Sequence, residues 1–310
     1  MPLFIDTERL DSNSCTVKDL LSFPLLVEKS KNFASQPPRH LSTTDKVLYI
    51  HQREFGSVKL NDENIKFIGS TDATTCHIIV CESDVAASVG HFDGCDTESG
   101  LEGMLKQHVK LHDKVSSNEY DIPIKVHIIG GFDDDRNISV KLLESVLAVL
   151  LKCPFNAQLL TLCTYTQNTN ILNGKTVPMV CGVVYDLNSR KIFPATFSDK
   201  GPSNVLRNAR IFGGSEKMFS IYKGIEPTLE IGPFKYHVFE AAYIIPQLPA
   251  VDVLKYCSTS PHCEPEDFVE TTKAAMKFLT DNPDPRKVFP KEEPLKYVMN
   301  EYGQWVQLKS

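Results

Sequence analysis

The sequence has no long apolar run, no basic excess and no hydrophobic leader. Its longest unbroken apolar run, Val146–Leu151, is far shorter than the ~18 residues that a membrane helix needs. Asp6 interrupts the N-terminal segment before a signal-peptide core could form. The net charge of −6 gives no electrostatic footprint for non-specific nucleic-acid binding. We therefore expect no membrane partner, no nucleic-acid partner, and a location in the cytoplasm or the nucleus.

Motifs for bound nucleotides, metals and serine nucleophiles are also missing. The chain has no G-x-G-x-x-G, no P-loop, no G-x-S-x-G elbow, no H-E-x-x-H and no C-x-x-C. Two sparser metal candidates remain. His108 and His112 lie four apart on a predicted helix with no acid between them, and a proline interrupts the group Cys257, His262 and Cys263. We expect solvated histidines at the first, no zinc at the second, and a protein without a metal or organic cofactor.

The chain contains nine cysteines, an odd number that is spread from Cys15 to Cys263 without framework spacing. A disulfide scaffold needs an even number of cysteines and an oxidising compartment. The pattern therefore favours reduced thiols.

Short strand patterns follow one another through most of the chain, with helices between some of them. Four strands are predicted at Val47–His51, Ile65–Gly69, His77–Cys81 and Ala86–His91, and Asn61–Asn64 is predicted as the hairpin turn between the first two. Strict strand–helix alternation is absent, which predicts an α+β fold with mixed sheets. We expect one domain, 1–310, and a monomer. Its parts would be an N-terminal segment, 1–45, a core, 46–282, and a proline-punctuated C-terminal segment, 283–310.

Three consecutive acids, Asp133–Asp135, precede an amphipathic pattern that begins at Ile138. Acidic side chains cap the free N–H groups of a first helical turn and favour the positive end of the helix dipole. Calcium binding is the alternative, but the spacing lacks the EF-hand pattern. The acids therefore predict a capped helix.

Cys76 follows a turn of small and polar residues, Gly69–Thr75, between two apolar runs. Such a turn presents a side chain beside backbone N–H groups at the edge of a sheet. His91 ends another predicted strand fifteen positions later (76 to 91) and follows Gly90. This arrangement is typical of a thiol nucleophile and its base. The alternative is a plain core thiol, the usual role of a buried cysteine.

A second histidine, His77, is adjacent to Cys76. Neighbouring residues on a strand point to opposite faces, so a cleft-facing Cys76 leaves His77 on the other face. We therefore predict a structural role for His77 and the role of base for His91. Ser70, six residues before Cys76, is a candidate to hydrogen-bond the base.

Seven short blocks in order along the chain resemble the protein N-terminal asparagine amidohydrolase family. They span about residues 47 to 280, and their order makes the resemblance more specific than any one of them. The blocks are Leu48–Glu54, Asp72–His77, His91–Gly94, Gly130–Arg136, Gly213-Gly214, Ile231–Pro233 and Ser258–Pro261.

The resemblance implies hydrolysis of the side-chain amide of an N-terminal asparagine, which leaves aspartate and ammonia. The new N-terminal aspartate would then be arginylated and the protein degraded through ubiquitin. The spacing of Cys76 and His91 is also similar to that in glutamine deamidases, which pack two sheets face to face with helices outside. This similarity implies an α/β/β/α arrangement, a Cys76 nucleophile, a His91 base, and an orienting third residue for which Ser70 stands in place of a threonine.

Recognition of a chain terminus requires groups that read a protonated α-amine. The candidates are Asp72, Asp93, Asp96 and Glu54, although a solvated acid is the alternative for each. The backbone around Thr75 and Cys76 would hold the oxyanion. Removal of the initiator methionine would place Pro2 at the new terminus, where it is a further candidate for the cleft. Two other functions remain open: another cysteine amidase or protease, and a non-catalytic module that binds N-termini.

Overall fold

The computed structural model describes residues 3–10, 16–112 and 121–308. Its strands are β1 Leu3–Ile5, β2 Glu8–Arg9, β3 Arg39–Leu41, β4 Val47–Tyr49, β5 Glu54–Lys59, β6 Phe67–Ser70, β7 His77–Glu82, β8 Ala86–Phe92, β9 Pro123–Ile129, β10 Asn156–Cys163, β11 Thr169–Leu172, β12 Lys175–Pro178, β13 Val183–Asp186, β14 Lys191–Phe197, β15 Phe219–Tyr222, β16 Leu229–Ile231, β17 Leu295–Met299 and β18 Trp305–Gln307. The α-helices are α1 Val17–Ser22, α2 Pro24–Ala34, α3 Thr97–Val109, α4 Ile138–Lys152, α5 Asn204–Phe212, α6 Ala241–Ile244, α7 Ala250–Cys257, α8 Phe268–Asp281 and α9 Pro285–Val288. None of the helices within these ranges is long and apolar enough to cross a membrane.

Two mixed sheets form the body of the fold. The large sheet has the order β18-β17-β16-β15-β5-β8-β7-β9-β10-β1-β2, and the small sheet has the order β3-β14-β13-β6-β4. Each contains both parallel and antiparallel neighbours. The predicted α+β class with mixed sheets is therefore confirmed.

The centre of the large sheet is buried on both faces. On one face, Phe92 of β8 packs in a core that includes Leu101 of α3 and Leu143 of α4. On the other face, Ile78 of β7 shares a core with Ile68 of β6, which belongs to the small sheet. Alternation along each strand therefore sends one set of side chains toward the helices and the other toward the small sheet.

The predicted hairpin between the first two strands is wrong. β4 and β6 are parallel neighbours, with Leu48 opposite Ile68, and β5 lies between them in sequence but in the large sheet. The turn itself exists, since Asp62 accepts from the N–H groups of Asn64 and Ile65 at 2.8 and 2.9 Å. It connects β5 to β6. The prediction failed because β5 carries buried polar residues and lacks a clear apolar alternation.

The predicted cap of α4 is confirmed. The Asp134 carboxylate accepts from the N–H groups of Ile138 and Ser139 at 3.0 and 2.9 Å. It satisfies donors that the first helical turn otherwise leaves free. The cap fixes the start of α4 beside the loop that carries Cys76, because the Ser139 hydroxyl donates to the carbonyl of Thr75 at 3.3 Å.

Candidate active site

Cys76 lies in the loop that carries the chain from β6 in the small sheet to β7 in the large sheet. Asp72 turns this loop with a left-handed conformation, at a φ of 65°. The N–H of Ala73 ties it to the carbonyl of Cys181 at 2.9 Å. The thiol of Cys76 is free and partly exposed, and it lines a cavity of about 380 Å³. A cavity of this size is within the range of small-ligand sites.

Two backbone donors beside the thiol are open. Within residues 3–10, 16–112 and 121–308, the N–H groups of Thr75 and Cys76 donate to no hydrogen bond. Thr75 is nevertheless fixed in place, because its carbonyl accepts from Ser139 and its hydroxyl contacts the Thr259 hydroxyl at 3.0 Å. Positioned N–H groups next to a nucleophile can stabilise the oxyanion of an acyl-transfer intermediate.

His91 projects toward the same side of the large sheet as Cys76. It lies on β8 directly opposite Ile78 of β7. Paired residues on antiparallel strands project from one face, and the residue two positions before Ile78 projects there as well. That residue is Cys76, and both side chains line the cavity.

Ser70 determines which nitrogen of His91 carries the proton. The Ser70 hydroxyl donates to the carbonyl of Ile50 at 2.6 Å, and it lies 2.8 Å from Nδ1 of His91. A hydroxyl has one proton, and a carbonyl can only accept. Ser70 must therefore accept from Nδ1–H, which leaves a lone pair on Nε2. Nε2 is buried and has no hydrogen-bond partner among the described residues, so it is available as a base.

His77 faces away from this pair. Its Nε2 lies 3.3 Å from the Thr164 hydroxyl, and its ring lies against Gly131, where a Cβ would come within 2.4 Å of the imidazole. Burial lowers the pKa of His77 to about 4. The side chain is a neutral, packed histidine on the opposite face of β7, as strand alternation predicts.

The surroundings of Cys76 and His91 favour the neutral form of each side chain. Burial raises the pKa of the Cys76 thiol well above its ordinary value, and the charges of Asp93 and Glu264 raise it further. Burial lowers the pKa of His91 to about 4, against the opposing effect of Asp93 and Glu54. Both shifts disfavour a thiolate–imidazolium ion pair.

Of the predicted substrate-contacting acids, Asp93 and Asp72 line the cavity and have cationic partners. Asp93 accepts from Arg53 Nε at 2.6 Å, and despite the opposing effect of burial its pKa lies below the usual range because of this partner. Lys200 lies 2.9 Å from Asp72 and 2.9 Å from Asp267. Thr75 also lines the cavity. Asp96 instead accepts from the N–H of Met218 at 3.0 Å.

Glu54 lies away from the cavity, and its position does not support the predicted contact with substrate. Its carboxylate is 1 % exposed and lies 2.6 Å from the fully buried guanidinium of Arg207 and 3.4 Å from that of Arg210. Burial opposes its charge, but these two arginines outweigh it and lower its pKa to about 2. Sequence reasoning failed here because Arg207 and Arg210 come from α5, far along the chain. Pro2 lies outside the described residues.

The structure adds one cavity residue that sequence reasoning missed. Glu264 lines the cavity between the Ser258–Ser260 segment and α8. Its carboxylate accepts from the Ser258 hydroxyl, and Ser258 in turn accepts from the N–H of Ser260 at 2.9 Å. The sequence could have indicated Glu264 by its position, which is three residues after the Ser258–Pro261 block.

The two sparse metal candidates bind protein groups instead. His108 is fully buried, so the predicted solvated role is wrong for it, and its ring contacts the hydroxyls of Ser88 and Ser83, each at 2.9 Å. His262 contacts the carbonyl of Thr176 at 2.9 Å. In the ranges that the structure describes, no three histidine, cysteine or acidic side chains lie close enough to hold a metal ion.

Comparison with known proteins identifies the family. The family described as protein N-terminal asparagine amidohydrolase matches residues 37–307. Proteins of that name from Mus musculus and Homo sapiens are 31% and 30% identical over 313 residues, which cover 100% of this chain and 99% of each relative. The Arabidopsis thaliana protein of the same name is 25% identical over 329 residues, covering 94% of this chain and 92% of the relative. The chain belongs to the protein N-terminal asparagine amidohydrolase family.

Proposed function

We propose that this protein hydrolyses the side-chain amide of an N-terminal asparagine, giving N-terminal aspartate and ammonia. The full-length relatives carry the name of this activity. The observation that carries the proposal is the Ser70 hydroxyl, whose single proton goes to Ile50. It leaves a lone pair on Nε2 of His91, and His91 and Cys76 line the same cavity.

The first half of the reaction forms a thioester. Nε2 of His91 takes the proton from Cys76 as the sulfur attacks the amide carbon, and the open N–H groups of Thr75 and Cys76 bind the resulting oxyanion. Each such donor contributes about 3–4 kcal/mol to transition-state stability. The imidazolium, which Ser70 stabilises through Nδ1–H, then protonates the departing nitrogen. Ammonia leaves and the acyl group stays on sulfur.

The second half restores the enzyme. Nε2 of His91, neutral again, takes a proton from water as the water oxygen attacks the thioester carbon. The tetrahedral intermediate collapses, the carbon–sulfur bond breaks, and the proton returns from His91 to Cys76. The product is the side-chain carboxylate of aspartate.

Selection of asparagine over glutamine depends on geometry as well as fit. One extra methylene changes binding by only about 1–3 kcal/mol. The cavity walls and the open N–H groups fix where the amide carbon must lie relative to the Cys76 sulfur. A glutamine amide anchored at the same α-amine would place its carbonyl off this position and lose the alignment that attack requires.

We infer that the product enters a reaction sequence in the cytoplasm or the nucleus. An N-terminal aspartate is the kind of substrate that an arginyl transferase extends before ubiquitin-dependent degradation, so that enzyme is the proposed functional partner. Seven of the described cysteines are free thiols, namely Cys76, Cys81, Cys95, Cys163, Cys181, Cys257 and Cys263, which fits a reducing compartment.

The test uses matched peptides that begin with Asn, Gln or Asp-Asn, with ammonia release and product mass as readouts. We expect ammonia from the first peptide only, an intact backbone, and no ammonia with Cys76→Ala. Cleavage of the peptide would indicate a protease. Equal turnover of internal asparagine would overturn the N-terminal specificity, and tight binding without turnover would indicate a binding module.

A further inference from the structure

The cavity beside Cys76 carries more negative than positive charge. Four carboxylates and two cationic side chains line it. The two cations are already engaged: Arg53 pairs with Asp93, and Lys200 bridges Asp72 and Asp267. The remaining acid is Glu264.

Glu264 has no cationic partner. In residues 3–10, 16–112 and 121–308, no lysine, arginine or histidine forms an ion pair with it. Its carboxylate is held by the hydroxyl of Ser258, and burial raises its pKa against this hydrogen bond. A partly buried carboxylate with unused acceptor capacity is a favourable place for a cation.

Glu264 lines the same cavity as Cys76. Glu264 is among the charges that raise the pKa of Cys76. Thr259, between Ser258 and Ser260, contacts Thr75 at 3.0 Å, so the segment that holds Glu264 is tied to the loop that holds the sulfur. In asparagine, only the α-carbon and the β-carbon separate the α-nitrogen from the amide carbon. A carboxylate near the sulfur can therefore reach the α-amine of a bound N-terminal asparagine.

We propose that Glu264 binds the protonated α-amine of the substrate and thereby restricts the reaction to a chain terminus. This inference rests on the function proposed above and assigns its specificity to one carboxylate. Asp72, Asp93 and Asp267 are less suited, because an α-ammonium group would have to compete with Lys200 or Arg53 for their oxygens. An internal asparagine brings an uncharged peptide nitrogen and leaves Glu264 without a cation.

The experiment compares two peptides that differ only at the α-nitrogen. One begins with asparagine and the other with its desamino analogue, in which hydrogen replaces the α-amine. The wild-type enzyme should prefer the first in kcat/KM. In Glu264→Gln this preference should fall by about 10- to 100-fold, the loss expected for a hydrogen bond between charged groups, while turnover of the desamino peptide does not fall.

The matched control is Glu266→Gln, which removes the same charge from an exposed position in the same segment and should preserve the preference. Ser258→Ala provides a second variant that keeps the charge but releases the carboxylate, and it should lower the preference in part. Binding of both peptides to Cys76→Ala measures the same ratio without turnover.

The results of these assays distinguish failure of the Glu264 proposal from failure of the proposed function. If Glu264→Gln slows both peptides equally, or leaves the preference unchanged, Glu264 does not read the amine. If the wild-type enzyme turns over both peptides equally, the amine is not read at all, although the deamidase function stands. If the wild-type enzyme releases ammonia from neither peptide, the function proposed above fails, and the inference fails with it.

Discussion

Replacing Ser70 by alanine removes one oxygen and tests how the base is oriented. The side chain is fully buried, and its hydroxyl lies 2.6 Å from the carbonyl of Ile50 and 2.8 Å from Nδ1 of His91. Without it, no proton acceptor fixes Nδ1–H. The ring can then carry its proton on Nε2, where it cannot act as a base toward Cys76.

The size of the effect follows from the charge state during attack. In the proposed transition state His91 becomes an imidazolium, and its Nδ1–H donates to Ser70 as a charged group. Hydrogen bonds to charged groups contribute about 1.5–3 kcal/mol, and each 1.4 kcal/mol changes a rate constant tenfold. We therefore expect Ser70→Ala to lower kcat/KM by about 10- to 150-fold. The carbonyl of Ile50 also loses its donor, which should destabilise the fold by about 1–3 kcal/mol.

The matched control is Ser88→Ala. Ser88 is equally buried, donates to Ser57 at 2.7 Å, and lies 2.9 Å from Nδ1 of His108. It lies outside the cavity, so its loss should reduce stability without reducing turnover. Urea unfolding and initial rates of ammonia release on both variants separate the two effects.

The pH profile gives a second readout. Wild-type kcat/KM should fall on the acid side near pH 4, where His91 becomes protonated. Loss of the Ser70 acceptor disfavours the imidazolium, so Ser70→Ala should move this limb to lower pH wherever the protein stays folded. A folded Ser70→Ala variant with an unchanged plateau and an unchanged limb would refute the orienting role of Ser70.

Three further predictions concern the base, the buried ion pair and acid stability. His91→Asn should lower kcat/KM by about 10²- to 10⁴-fold, the usual contribution of a general base; a loss below tenfold in initial-rate assays would exclude His91 from that role. Glu54→Ala leaves the Arg207 guanidinium buried and unpaired, so urea unfolding should show a loss of about 3–5 kcal/mol, whereas a loss near zero would contradict the buried pair. The folded-state pKa values of His77 and His91 are about 4, and that of His108 is about 3, all below the unfolded value. The unfolded state therefore binds more protons, and stability should fall as pH drops from about 6.5 toward 4, by about 3 kcal/mol per histidine; equal stability at pH 6.5 and 5 would contradict this.

Sequence reasoning succeeded where the signal was local. A small, polar turn before Cys76 marked the loop between two strands. The alternation of side chains along a strand favoured His91 over His77 as the base, because His77 is adjacent to Cys76 and adjacent residues cannot share a face. The acids before Ile138 marked a helix start, and Asp134 caps it. Each of these inferences depends on residues only a few positions apart.

Sequence reasoning failed where segments that are far apart in the chain come together in the fold. The parallel pairing of β4 with β6 depends on register across a strand that belongs to another sheet. Glu54 is an ordinary acid in the sequence, and only the guanidinium groups of α5 make it a buried ion-pair partner. Glu264 reaches the cavity only because α7 and α8 carry its segment back to the Cys76 loop. Contacts between residues that are distant in the chain leave no periodic pattern in the sequence.

In the proposed reaction, the charges around Cys76 connect recognition of the α-amine to attack by the thiol. The negative charges of Asp93 and Glu264 raise the pKa of the thiol and so disfavour the thiolate in the empty cavity. A substrate that brings an α-ammonium group to Glu264 neutralises one of these charges, and deprotonation of the sulfur then costs less. A substrate without that group must be attacked while both negative charges remain. Discrimination against the desamino peptide should therefore appear in kcat as well as in KM, since the same positive charge that holds the substrate also favours the attacking thiolate.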